Sequence, residues 1–67
     1  MRYDSETDRW NVSIDDEDYE MHCGNGFEIY IGGQPIPCRI EKDNEWYVIM
    51  KDVSFTLRKR TTYMVNV

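Results

Sequence analysis

One histidine, two cysteines, two prolines and no long apolar run are found in 67 residues, and each scarcity excludes something. The lone histidine, His22, leaves little material for a nucleophile, base and orienting group in contact. Its neighbour Cys23 would point to the opposite side of an extended chain, so the two make a poor catalytic dyad. Two cysteines are fewer than the four, six or eight of a small secreted disulfide scaffold. Cys23 and Cys38 are therefore expected as free thiols in a reducing cytoplasm, with Cys38 a small buried hydrophobe between Ile36 and Ile40. A bridge between them is the alternative, closing a 15-residue loop for about 3 kcal/mol. Without a long apolar run, neither a membrane span nor a signal peptide is expected. Apolar residues nowhere recur at helical spacing over a full window, and repeats, linkers and low-complexity tracts are missing.

What is present is core material and acid. The chain is 40% hydrophobic and 13% aromatic, too rich for a disordered segment. A domain of this size buries only about 60% of its unfolded surface, which argues against a self-sufficient enzyme with a deep cleft. Net charge is −5, and it is unevenly spread. Residues 1–28 hold nine acids and two bases, whereas residues 29–67 hold four acids and six bases, including Arg58-Lys59-Arg60. An acidic half repels a phosphate backbone, because affinity for nucleic acid comes mainly from neutralising phosphates. It suits a basic surface on another protein. It also keeps a small domain soluble, and the sequence leaves both readings open.

Period-two alternation organises the chain. Trp10, Val12 and Ile14 alternate with polar residues, Asp15-Asp16-Glu17-Asp18 turns the chain, and Tyr19 and Met21 resume the pattern. Gly24-Asn25-Gly26 and Gly32-Gly33 read as hairpin turns around the row Phe27, Ile29, Ile31. Pro35 and Pro37 mark an irregular or edge strand that continues through Cys38 and Ile40. Trp46 to Met50 is apolar on both parities, as in a strand that is central in its sheet or covered on both faces. Val53, Phe55, Leu57 and then Tyr63, Val65, Val67 supply the last rows. The expectation is all-β: a polar arm over 1–9, then one small antiparallel, SH3-like barrel over 10–67, with five to seven short strands and no substantial helix.

Candidate chemistry is sparse. His22, Cys23 and Cys38 are a weak zinc set, lacking the paired spacing of structural sites. Asp15–Asp18 resembles a hard-cation loop in composition only, and no cofactor is expected. The glycine pairs open no helix, so they cradle no phosphate. Tyr30 and Tyr47 fall opposite the core rows, where aromatics either cover the sheet or anchor an interface.

The combination His22-Cys23-Gly24, Phe27-x-Ile29, Gly32-Gly33, Pro37-x-Arg39-Ile40-Glu41 and Trp46-Tyr47-Val48 resembles a small bacterial family of domains of unknown function. The resemblance spans residues 19–67. It implies a setting on conjugative elements, plasmids and prophages of Gram-positive bacteria, and it brings no catalytic residues. In that setting a cross-strand charge at Arg39–Glu41 and a core tryptophan at Trp46 would be structural marks.

Two functional expectations follow. The first is a non-enzymatic, cytoplasmic protein-binding module that uses Asp15, Asp16, Glu17, Asp18 and Glu20 with Tyr30 and Tyr47. Its partner would be a larger protein with a basic surface, such as a host defence nuclease, making this an anti-CRISPR-like or DNA-mimicking inhibitor. The second is a nucleic-acid-binding accessory factor using Arg39, Lys51, Arg58, Lys59 and Arg60. A homodimer is compatible with either.

Overall fold

The computed structural model describes residues 1–67. The chain is all-β: β1 (Arg2–Asp4), β2 (Arg9–Ile14), β3 (Glu17–Glu20), β4 (Gly26–Ile31), β5 (Gln34–Lys42), β6 (Trp46–Met50), β7 (Val53–Thr56) and β8 (Val65–Asn66). They form two antiparallel sheets, one ordered β1-β2-β3 and the other β7-β6-β5-β4-β8. The strand count is eight because one very short strand adds to the seven rows legible in the alternation, the last of which shortens to the two residues of β8. The added strand, β1, lies within the stretch expected as a polar arm. It pairs with β2, and Met1 is buried in the core.

Turn chemistry explains the hairpins. Asp15 and Asp16 join Ile14 to Glu17 with φ of 51° and 67°, and Gly32-Gly33 joins Ile31 to Gln34 with φ of 58° and 80°. Two consecutive left-handed residues match the right-handed twist of the flanking strands, and aspartate and glycine tolerate that region best. The prolines of β5 also have a positional reason. Pro35 and Pro37 pair with β4, while β6 joins β5 only from Arg39 to Lys42. Their nitrogens therefore face a stretch of β5 with no strand beside it, so no ladder bond is lost.

One face of each sheet meets the other in a single core. Sheet one contributes Trp10 and Val12; sheet two contributes Phe27, Ile29, Cys38, Ile40, Trp46 and Val48. Met21 and Leu57 fill in from beside the strands. A run of aromatic contacts, Tyr3–Trp10, Trp10–Tyr63 and Phe55–Tyr63, with centroids 5.5, 5.7 and 6.0 Å apart, continues along the interface. The smaller sheet cannot cover the larger. Ile31 and Val53, expected in inward rows, remain 40% and 59% exposed at strand ends. β6 is central, between β5 and β7, but it is covered on one face only, and Tyr47 and Ile49 are half-buried on its open outer face. Ile40 is wholly buried, so Ile40→Ala lowers unfolding free energy by about 2–5 kcal/mol, as a shift of the urea midpoint reports.

Candidate functional site

The β2–β3 hairpin gathers five acids. Every residue from Ser13 to Glu20 is exposed, and β2 is the only strand paired with β3. Alternation splits the carboxylates between faces. Glu17 shares the inner face with Tyr19, whose hydroxyl donates to its Oε2 at 2.7 Å. That bond, aided by desolvation, raises the Tyr19 pKa. Asp18 and Glu20 lie on the outer face, where Ser13 Oγ donates to Asp18 Oδ1 at 2.6 Å. Glu20 stands 3.9 Å from Arg9, a loose and solvent-exposed pair of little energetic weight. Asp15, Asp16, Glu17 and Asp18 have no basic partner. The hairpin tip is thus an uncompensated negative field, and such fields raise encounter rates with basic surfaces.

The inner face of the same hairpin runs beyond the core. Ile14 and Tyr19 lie there, 38% and 48% exposed, among the carboxylates. Alternation marked both as core residues, and only the limited reach of the opposing sheet leaves them open. The expected aromatics, Tyr30 and Tyr47, sit elsewhere, on the outer face of sheet two. Tyr30 lies across from Pro35 and Tyr47 across from Glu41, so about 20 Å separates them along β5. Neither belongs to the acidic hairpin.

The basic set is dispersed. Arg39 lies on the outer face of β5 beside Ile49, and its Nε meets Glu41 Oε2 at 2.7 Å along the same strand, where a cross-strand pair was expected. Lys51 turns β6 into β7, and Arg58-Lys59-Arg60 follows the far end of β7. Lys59 Nζ lies 5.1 Å from the Tyr3 ring. These bases form no single stripe. The trio His22, Cys23 and Cys38 likewise gathers into no ligand set, for Cys23 is exposed and Cys38 buried, and no cluster of three such side chains is close enough to hold an ion. Burial pushes the Cys38 thiol up to about 11.

A second centre escaped the sequence reading. Asp8, at φ 54°, closes the β1–β2 turn. Its Oδ1 accepts from Tyr3 Oη at 2.5 Å and from Trp46 Nε1 at 3.2 Å, and its Oδ2 meets Lys42 Nζ at 2.5 Å. The Lys42 hydrogen bond, then those from Tyr3 and Trp46, hold the carboxyl far below the usual carboxylate range. Lys42 and Arg9 also lie over the Trp46 ring, 5.6 and 5.8 Å from its centroid. Asp8 therefore ties sheet one to the β5 and β6 strands of sheet two.

Fold and site define a small all-β domain of two antiparallel sheets whose acidic hairpin stands free of the larger sheet. The chain belongs to the DUF5348 family, a domain of unknown function, whose profile matches residues 1–67. Membership in a small family of domains of unknown function thus holds over the whole chain, beyond the 19–67 stretch that carried the resemblance. Neither the curated proteins nor the solved structures compared with it include a significant match. No helix is long and apolar enough to cross a membrane.

Because the Asp8 carboxyl has a lower pKa folded than unfolded, its contribution to stability is complete above the ordinary aspartate value, near 3.8. That contribution is lost as pH falls below it. Urea midpoints measured downward from pH 6 fall less steeply for Asp8→Asn than for the wild type. Thiol reagent titrates one cysteine, Cys23, rapidly in the native protein, and Cys38 only after unfolding in denaturant, as burial predicts.

Proposed function

We propose that the domain is a non-enzymatic protein-binding module whose β2–β3 hairpin occupies a basic surface of a larger protein. The observation that carries this reading is the tip itself: Asp15, Asp16, Glu17 and Asp18 exposed without a counter-charge, with Ile14 and Tyr19 open beside them. Charge supplies steering and register, and the two apolar side chains supply area that can be removed from water. A surface that binds phosphates is the kind of basic surface such a hairpin would compete for. The resemblance to mobile-element proteins suggests a host defence nuclease in the bacterial cytoplasm, with the domain as an anti-CRISPR-like or DNA-mimicking inhibitor. The dispersal of Arg39, Lys51 and Arg58-Lys59-Arg60 favours this over direct nucleic-acid binding.

Capture of the tagged protein from host lysate, with and without nuclease treatment, tests the class of partner. A stoichiometric protein retained after nuclease treatment is expected, and recovery that depends on nucleic acid would overturn the reading. With the partner in hand, the combined change Asp15→Asn, Asp16→Asn, Glu17→Gln and Asp18→Asn weakens binding at least about tenfold and flattens its salt dependence. Unchanged affinity in that variant would remove the electrostatic mechanism.

A further inference from the structure

Four strand edges end the two sheets, and three of them are blunted. β3 carries acids along its length, β1 has three residues with charge at both ends, and β8 has two. The fourth, β7, reads Val53-Ser54-Phe55-Thr56, with neither charge nor proline. Edges of that kind pair with other strands unless something covers them.

The hydrogen-bond phase of β7 shows which groups are free. Leu57 donates to Trp46 O at 2.9 Å, so Val53, Phe55 and Leu57 turn their backbone groups toward β6. Ser54 and Thr56 turn theirs outward, and no turn or loop segment bonds to them. The N–H of Arg58, which faces the same way, is taken by Tyr63 Oη at 2.8 Å. What stays open is a pair of donors and a pair of acceptors.

We propose that β7 pairs antiparallel with β7 of a second copy of this chain, joining two five-stranded sheets about a two-fold axis. One register uses all the free groups. With Phe55 opposite its own symmetry mate, Ser54 of each copy faces Thr56 of the other, and four backbone hydrogen bonds form. The same register sets Val53 opposite Leu57 on the inner face, covering a valine that is 59% exposed. On the outer face it sets Asp52 opposite Arg58 twice, so opposite charges meet at both ends. Lys59, which this register would set against Lys51 of the other copy, is drawn toward Tyr3 instead. This surface lies apart from the acidic hairpin and does not depend on the function proposed above.

Sedimentation of the wild-type protein tests the pairing, with a reversible monomer–dimer equilibrium expected. Thr56→Pro removes an outward N–H while keeping the β6–β7 ladder. It raises the dimer dissociation constant at least about tenfold with an unchanged circular dichroism spectrum. Asp52→Arg, a surface change that keeps the test standing if the proline variant does not fold, weakens the dimer similarly, and Asp52→Arg with Arg58→Asp restores it. A wild-type protein that stays monomeric into the millimolar range overturns the proposal. So does a dimer indifferent to all three variants, or assembly that continues past two copies.

Discussion

The two sheets share one core, and the larger has five strands where the smaller has three. What fixes their relative position at one end is the carboxylate of Asp8. A single side chain accepts from Tyr3 in sheet one and from Lys42 and Trp46 in sheet two, across 34 and 38 residues of sequence. These bonds orient the Trp46 ring, and Lys42 and Arg9 stand over its face. Trp46 then packs with Val48 and Ile40 in the interior. Rocking the smaller sheet on the larger would break the Tyr3 and Trp46 bonds to Asp8, while the exposed Lys42 pair, screened by solvent, adds little to that cost.

The same imbalance decides what the surface shows. Three short strands cover the middle of the larger sheet and leave its ends and outer face open. Charge is segregated accordingly. The acids gather on the hairpin that extends past the core, where they also prevent its free edge from recruiting other strands. The bases are scattered: Arg2 and Arg9 lie in sheet one, Arg39 and Lys42 in β5, and Lys51 and Arg58-Lys59-Arg60 at the two ends of β7. Acidity therefore protects an edge and presents a field with one set of residues.

Legibility in the sequence followed the range of the interactions. Period-two alternation located Trp10, Val12, Ile29, Ile40 and Val48 in the core because a strand alternates its faces regardless of what it meets. The Gly32-Gly33 turn was legible because glycine tolerates left-handed backbone, whereas the turn read over Asp15-Asp16-Glu17-Asp18 narrows to Asp15-Asp16, with Glu17 and Asp18 already paired in β3. Alternation could not say how far the opposing sheet reaches, so Ile14, Tyr19 and Val53 read as core and proved open. Tyr30 and Tyr47 share a parity, but their separation depends on register, which only pairing reveals. Asp8 was hidden for a related reason: an aspartate in a polar stretch looks like any turn residue until partners more than thirty positions away are placed beside it.

The strand order also bears on how the chain reaches this structure. β1 to β3 form one meander and β4 to β7 another, each strand pairing with the next in sequence. The long closures come from the end of the chain: β8 laid beside β4, and Tyr63 bonded both ways to Met1 across 62 residues. Local pairings close small loops and form early, whereas a distant one must first overcome a larger entropic penalty. Contact order thus favours a route in which each meander forms before the two dock through the shared core, and it places the pairing of β8 with β4 at the end of that route.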